Sequence, residues 1–387
     1  MTQSTVRSEN SNLSRRRLLK VLGLTSVAAD GALVGCRSKK ETALTLFGTG
    51  TLDLEDWSRI KTDLGIVLKF RDNGNDTGPV ITQMVAGNAA NDYDLGGLQG
   101  GAEAELAGAG KILPWDLTKL QRWATMWDWA KEIPYTSYEG KRYGLPVVIN
   151  ADSMIYLPDK VGQIDSYAAV FDPKLKGKTS MEDAWINSVI FTAIYLKDNF
   201  EKNIKNPGDL DKDELEFVMA FLIQKKKEGQ FRKFWNGWED GLRLVLQSEV
   251  YVMTGWEPIV YAARKQGVNV QYAVPKEGYE GWSNDLIIHS GTERRGVYDA
   301  VHKFADWELG GYYGCALALK RGYVVPNDST LEYAKAHPTE FKLADLEQIV
   351  NNVRRKFLQM KGRTYWQNVR PRLYKEYEIW WSRLRSA

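Results

Sequence analysis

The chain contains 387 residues, of which 52 are basic and 49 acidic, and its formal net charge is only +3. This balance excludes a protein that binds nucleic acid through bulk positive charge. Two cysteines and three histidines exclude cysteine-held structural zinc, iron–sulfur ligation and CxxC redox chemistry. The sequence contains no GxSxG motif, and we expect a protein that is not an enzyme and needs no metal or cofactor.

The first 36 residues have the stepped polarity of an export signal. Residues 14–20 (SRRRLLK) are typical of a twin-arginine signal, and residues 33–36 (LVGC) are typical of a lipobox in which Cys36 is acylated. The apolar run between them is too short for the roughly 20 residues of a membrane span. We therefore predict a signal over residues 1–36 and a periplasmic protein that is anchored to the membrane by lipidated Cys36.

Predicted strands and helices alternate after the leader. Strands are predicted at residues 44–48, 65–70 and 94–98. A helix-like stretch from Asp53 precedes the second strand, and a glycine-opened helix over residues 100–110 follows the third. This strand–helix–strand spacing predicts an α/β protein with a mainly parallel sheet.

The same alternation continues to the end of the chain. Strands are predicted at residues 143–150, continuing through 154–156, and at 251–254, 271–274 and 285–288. Helices are predicted over residues 211–229, where acidic residues begin the helix and lysines end it, and around 297–305. A basic, aromatic helix is predicted over residues 364–384, packed back on the body. About 350 residues remain after the leader, which suits two lobes rather than one small core.

An ordered set of short segments carries a family resemblance. It comprises residues 165–178, 249–256, 261–267, 274–278 (VPKEG), Trp282, 286–288 and 322–327 (GYVVPN). This set resembles the extracellular solute-binding proteins of ABC importers, and among them the spermidine/putrescine-binding branch. The resemblance implies a periplasmic-binding-protein-like fold, in which two α/β lobes enclose a ligand cleft and are joined by crossing hinge strands.

The resemblance also implies where the lobes begin and end. Lobe 1 would start with residues 37–149, lobe 2 would comprise 150–284, and residues 285–387 would return to lobe 1 with C-terminal helices. The first crossing is expected near residues 148–152 and the return crossing near 284–288.

Four residues match ligand-binding positions of the resembled family: Trp256, Trp282, Asp183 and Tyr323. Carboxylates would meet the ammonium groups, which lose their hydration on entry. Aromatic faces would sandwich the methylene chain and attract the cation, a contact worth about 0.5–2 kcal/mol. Trp238 is expected on another wall of the cleft, beside Asn236 and Gly237.

Other positions depart from the family pattern. Asn284 stands where the family has an amine-reading aspartate, Ile186 replaces a second acidic residue, and a glycine/threonine turn that contains Thr49 replaces an aromatic pair. The lost charge could be supplied by the residues Asp285, Glu257, Asp152 and Glu239. Asp285 is expected to point away from Asn284, because neighbouring side chains of a strand alternate.

The sequence thus predicts the substrate-binding lipoprotein of a bacterial ABC importer, a monomer that delivers a small cationic, polyamine-like solute to permease and ATPase subunits. Three alternatives stay open at this point. The glycine-lined first lobe could take an amino acid or phosphorylated solute on backbone N–H groups. Tyr312 and Tyr313 could bind ferric iron. The binding fold could also serve as a structural or sensory lipoprotein.

Overall fold

One mixed β-sheet organises the computed structural model, which describes residues 41–74, 77–200, 203–359 and 363–387. Residues 41–387 cluster as one compact unit. The predicted signal and Cys36 lie outside the described residues.

The strands of the described residues are β1 (Thr42–Gly48), β2 (Ile66–Asp72), β3 (Leu95–Gln99), β4 (Ile112–Leu113), β5 (Ser137–Tyr138), β6 (Lys141–Arg142), β7 (Leu145–Tyr156), β8 (Thr179–Glu182), β9 (Phe231–Trp235), β10 (Val252–Gly255), β11 (Gln271–Tyr272), β12 (Tyr279–His289) and β13 (Thr364–Trp366). The helices are α1 (Ser58–Leu64), α2 (Thr77–Ala86), α3 (Ala89–Asp92), α4 (Glu103–Gly108), α5 (Asp128–Lys131), α6 (Pro158–Val161), α7 (Ala168–Phe171), α8 (Trp185–Asn199), α9 (Lys212–Lys227), α10 (Gly237–Leu246), α11 (Glu257–Lys265), α12 (Tyr298–Glu308), α13 (Gly311–Arg321), α14 (Ser329–Ala336), α15 (Leu343–Gln359) and α16 (Tyr374–Ser386).

The strand order of the sheet is β2-β1-β3-β12-β7-β10-β8-β9. We call β1–β4 the first half, β8–β11 the second half, and β7 with β12 the central pair. Pairing is parallel within β2-β1-β3 and within β10-β8-β9. The central pair is antiparallel, both internally and to its neighbours β3 and β10. The prediction of a mainly parallel sheet is therefore right for the flanks and wrong at the centre.

The antiparallel centre arises because β7 and β12 carry the chain from one half to the other and back. Strand β7 pairs with β12 as far as Asp152 and with β10 from Ser153 onward. Strand β12 pairs with β7 from Glu280 and reaches β3 at Asn284. The sheet is continuous through these strands, so the expected lobe boundaries at 149/150 and 284/285 stay predictions.

The helix predicted over residues 211–229 is confirmed, and its boundary has a local cause. The Asp211 side chain accepts the Glu214 N–H while the Glu214 side chain accepts the Asp211 N–H, which forms a capping box at the start of α9. Gly229, with φ +75°, follows the end of that helix in the left-handed conformation that glycine tolerates best.

The predicted tail helix over residues 364–384 is wrong in its first part. Residues Thr364–Trp366 form β13, which pairs in parallel with Tyr279–Gly281 of β12, and the helix begins only at Tyr374. Proline at position 371 has no backbone N–H to donate and favours this late start. The helix α16 packs on α8 and α9 in the second half, whereas the C-terminal helices were expected on the first lobe.

Separate apolar cores lie against the two halves. Leu44, Leu95, Leu286 and Phe304 belong to a cluster against the first half. Another cluster joins Met181, Ile190 and Val218 to Trp381 and Leu384 of α16. The C-terminal helix thus adds its apolar face to the core of the second half.

Candidate functional site

A cavity of about 670 Å³ lies between the two halves, at the carboxyl ends of their parallel strands. Thr49 follows β1, Gln99 ends β3, Glu182 ends β8 and Trp256 follows β10. The residues that line it are Thr49, Thr51, Thr77, Gln99, Asp152, Glu182, Asp183, Ala184, Trp185, Ile186, Asn187, Asn236, Gly237, Trp256, Trp282, Asn284, Tyr323, Gln367, Glu378, Trp381, Ser382 and Arg385.

Asp152 lies on the central pair and is held by two donors. The indole Nε1 of Trp282 donates to Asp152 Oδ2 over 2.8 Å, and the Tyr272 hydroxyl donates to Oδ1 over 3.2 Å. Burial raises the pKa of Asp152 to about 6, although the nearby Lys356 ammonium opposes that rise. Tyr323 packs edge-on against Trp282, with their ring centroids 4.9 Å apart.

Glu182 supplies a second carboxyl group at the end of β8. The Asn187 amide donates to Glu182 Oε2. Burial raises the pKa of Glu182 to about 8, and repulsion from Asp152 and Asp183 adds to the effect. Trp256 stands against Trp235, with ring centroids 4.9 Å apart and an interplanar angle of 83°. The cavity therefore combines two carboxyl groups of raised pKa, Asp152 and Glu182, with indole faces, an arrangement suited to a cation.

Glu280 lies next to Asp152 in the register of the central pair and is fully buried. Gln367 Nε2 donates to Glu280 Oε1 over 2.9 Å, while Oε2 has no hydrogen-bond partner among the described residues. Burial, followed by repulsion from Asp152 and Glu182, raises the pKa of Glu280 well above its usual range. We call Asp152, Glu182 and Glu280 the cavity cluster.

Asp183 lines the cavity, but its carboxylate already accepts hydrogen bonds from the C-terminal helix α16. The Trp381 Nε1 donates to Asp183 Oδ1 over 3.1 Å, and the Arg385 Nε donates to the same oxygen over 2.8 Å. The sequence analysis missed these donors, which lie about 200 residues away along the chain, and selected Asp183 instead of its neighbour Glu182.

The first half contributes uncharged groups to the cavity. Thr49 Oγ1 lies 2.6 Å from Thr51 Oγ1 and 3.3 Å from the Asn284 Oδ1 that accepts its hydrogen bond. Gln99 pairs with Asn284 in the sheet register and lines the same wall. We call Thr49, Thr51, Gln99 and Asn284 the neutral wall.

Asp285 does not line the cavity, so it is not the compensating charge that the sequence analysis considered. As alternation predicts, it points away from Asn284, and its side chain is fully buried beside Glu103 and Tyr135. Burial raises the pKa of Asp285 to about 6. Burial and the Asp285 charge raise the pKa of Glu103 well above its usual range. We call Glu103 and Asp285 the closed pair.

Three other candidates also lie outside the lining. Glu257 is paired with Lys356, whose Nζ is 2.7 Å from Glu257 Oε2, and Asn352 Nδ2 donates to both carboxylate oxygens. Trp238 is 37 % exposed on α10, and Glu239 is exposed beside it. Only the residues before them, Asn236 and Gly237, reach the cavity wall.

The two adjacent tyrosines considered for iron lie elsewhere. Tyr313 is buried in the core on α13, and its hydroxyl donates to the Leu52 carbonyl over 3.0 Å. Tyr312 packs against Trp307. Neither tyrosine lines the cavity, and the described part of the chain contains no group of three or more His, Cys, Asp or Glu residues placed to hold a metal ion.

Within the residues that the structure describes, every helix is too short or too polar to cross a membrane.

A family model described as bacterial extracellular solute-binding protein matches residues 61–335. A curated relative, spermidine/putrescine-binding periplasmic protein 1 of Haemophilus influenzae, is 25% identical over 218 residues, which cover 55% of this chain and 54% of the relative. The chain thus matches about half the length of that relative.

Solved structures extend the likeness to the fold. A putative spermidine/putrescine ABC transporter from Listeria monocytogenes superposes with a TM-score of 0.69 at 15% identity, over 89% of this chain and 99% of the other. The Tp0655 lipoprotein of Treponema pallidum gives 0.68 at 13% identity, over 89% and 100% of the two chains. These structures confirm the predicted periplasmic-binding-protein-like α/β fold class.

Proposed function

The chain belongs to the bacterial extracellular solute-binding protein family, and we propose that it captures a small cationic, polyamine-like solute in the cavity between the two halves of its sheet. The observation that carries this proposal is the placing of Asp152 and Glu182 beside the indoles of Trp282 and Trp256 in that cavity. The protein acts by binding and release rather than by catalysis.

The charge of the cavity supports a cation. Asp152 and Glu182 are desolvated and repel each other, so each carboxylate is costly to ionise in the solute-free protein. An ammonium group between them would offset that repulsion and regain hydrogen bonds for the water it loses. Indole faces would add about 0.5–2 kcal/mol for each cation–π contact.

The sheet topology supports a two-lobe mechanism. In this proposal the first half with residues 37–149 and 285–387, and the second half with residues 150–284, move as lobes about β7 and β12. The C-terminal helix α16 departs from that division, since it packs with the second half. Closure would remove water from the cavity and hold the solute for delivery.

Ligand contacts are proposed for Trp256, Trp282, Tyr323, Asn284 and Thr49, which line the cavity. The charged role is proposed for Asp152, which the sequence analysis had named as a possible source of the lost charge, and for Glu182, which it had not named. They stand in place of the predicted carboxylates Asp183, Asp285 and Glu257. Each of those three carboxyl groups is engaged within the protein or buried behind the cavity.

The partners and location follow from the same proposal. The protein works as a monomer outside the cytoplasmic membrane, anchored by lipidated Cys36, and delivers its solute to the permease and ATPase subunits of an ABC importer. Polyamine binding is taken from the Haemophilus influenzae relative, of which the match spans about half.

Isothermal titration calorimetry of the purified protein tests the proposal against spermidine, putrescine, neutral amino acids and inorganic phosphate. We expect binding of a cationic solute, weakened at least tenfold by Trp256→Ala, roughly the loss of one buried stacking contact. Trp238→Ala is the matched control, because Trp238 is exposed and lies outside the cavity lining. Binding of anionic solutes alone, or an equal loss in both variants, would refute the proposal.

A further inference from the structure

The charges of the cavity are unevenly divided between its two sides. The side formed by β7 and β8 carries Asp152 and Glu182, with Glu280 buried beside them. The side formed by the ends of β1 and β3 and the middle of β12 is the neutral wall of Thr49, Thr51, Gln99 and Asn284. Because β3 and β12 precede β7 and β8 in the strand order, the two sets lie toward opposite sides of the cavity.

The remaining carboxyl groups of the lining add little attraction for a second cation. Asp183 is already bound by Arg385 and Trp381. Glu378 is exposed on α16, where water screens its charge. Asp72 lies near the Gly50 turn of the first half, but it is exposed and does not line the cavity.

We infer that the cavity takes a solute with one ammonium group at one end and an uncharged hydrogen-bonding group at the other. The ammonium lies between Asp152 and Glu182, against the indoles of Trp256 and Trp282. The uncharged end reaches the neutral wall, where hydroxyl and amide groups can donate and accept hydrogen bonds. This inference rests on the proposed function, because it assumes that the cavity is the solute site.

The physical reason is the cost of an unpaired charge. A diamine would place its second ammonium against threonine hydroxyls and the amides of Asn284 and Gln99, with no carboxylate in contact. Those groups replace only part of the hydration that a cation loses. A hydroxyl at the same position gives up far less hydration and finds donors and acceptors in the wall. The cavity therefore favours the singly charged solute.

A matched pair of probes tests this directly. Putrescine is compared by calorimetry with the amino alcohol in which one of its amino groups is replaced by a hydroxyl, at equal pH and ionic strength. We expect the amino alcohol to bind at least about tenfold more tightly to the wild-type protein. Spermidine is included to show whether any polyamine binds.

Two variants locate the preference. Asn284→Asp adds a carboxylate to the neutral wall with little change of shape, and we expect it to shift the ratio of the two affinities at least about tenfold toward putrescine. Asp72→Asn removes an exposed charge outside the lining and is expected to leave the ratio unchanged. Circular dichroism and melting temperature show whether Asn284→Asp is folded, and the wild-type ratio decides the question if it is not.

The outcomes separate the inference from the proposed function. Tighter binding of putrescine or spermidine to the wild type would overturn the inference and leave the proposed function intact. An unchanged ratio in folded Asn284→Asp would overturn the assignment of the uncharged end to the neutral wall. Binding of no cationic solute would overturn both.

Discussion

The cavity cluster and the closed pair are two sets of carboxyl groups, and one member of each, Glu280 and Asp285, lies on β12 and points to opposite sides of that strand. In both sets burial raises the pKa of the carboxyl groups. The closed pair lies beside Arg142, whose charge helps to keep Asp285 ionised. Asp152 and Glu182 of the cavity cluster instead face the cavity. Burial alone therefore does not indicate a binding site. A carboxyl group with a raised pKa indicates one when a solute can also reach it.

The largest expected effect is a loss of solute affinity on substitution in the cavity cluster but not in the closed pair. Asp152→Asn removes a desolvated charge from the proposed ammonium site, and loss of one partner of such a pair costs several kcal/mol, so we expect affinity to fall at least about thirtyfold. Asp285→Asn changes the same functional group outside the cavity lining and should leave affinity within about twofold of wild type. Calorimetry at neutral pH measures both. An equal loss in the two variants would mean that the comparison fails.

The second expected effect is a pH dependence of binding. Asp152, with a pKa of about 6, faces Lys356, Glu257 and Glu182, and Glu182 has a pKa of about 8. Both groups must lose their protons before they bind an ammonium, which stays charged throughout this range. Affinity should therefore rise roughly tenfold for each pH unit between about pH 6 and about pH 8, because the ionised fraction of Glu182 falls about tenfold for each pH unit below its pKa.

Protein stability should move in the opposite direction. In the solute-free protein the raised pKa values mean that the native state holds protons that the unfolded chain has released. Its stability falls as the pH rises through about 6 and about 8, the folded-state values of Asp152 and Glu182. Thermal melts across this range check the sign, and Glu182→Gln should remove the upper part of the dependence. In the binding measurement, an affinity that falls as the pH rises would contradict the assignment of Asp152 and Glu182 as the groups that bind the ammonium.

The smallest expected effect belongs to the closed pair. Burial, followed by the Asp285 charge, raises the pKa of Glu103 well above its usual range and so favours its protonated form. Glu103→Gln puts a neutral amide in place of a carboxyl group whose neutral form is favoured. We expect the free energy of unfolding to change by less than about 1 kcal/mol, with solute affinity unchanged. Urea denaturation measures the first quantity and calorimetry the second. A loss of several kcal/mol would show that Glu103 is ionised.

Local rules predict much of the fold. The capping pair Asp211 and Glu214 marks the start of α9, and strand alternation places Asp285 on the side opposite Asn284. The tail shows where such rules stop. Trp366 lies in a strand rather than a helix because β12 offers it a partner far away in the chain, and tertiary pairing overrides local pattern.

The charged residues of the site are harder to predict from sequence, because their pairing partners lie far away along the chain. Arg385 forms an ion pair with Asp183, and Lys356 forms one with Glu257, so two of the predicted carboxylates are already paired within the protein. Glu182 carried no matching motif, although it adjoins Asp183. Sequence resemblance locates the aromatic residues Trp256, Trp282 and Tyr323 at the cavity, whereas electrostatic pairing must be seen in three dimensions.

The return of β12 to the first half has a consequence for how the chain folds as it is synthesised. Gln99 at the end of β3 pairs with Asn284. In contrast, β7 of the central pair and β8, β9 and β10 of the second half pair with one another before position 256. The ribosome therefore releases β7, β8, β9 and β10 before β12, which pairs with β3 on the side away from β1, is made. Strands β1, β2 and β3 can pair with one another early, but the other edge of β3 stays open to aggregation until β12 emerges.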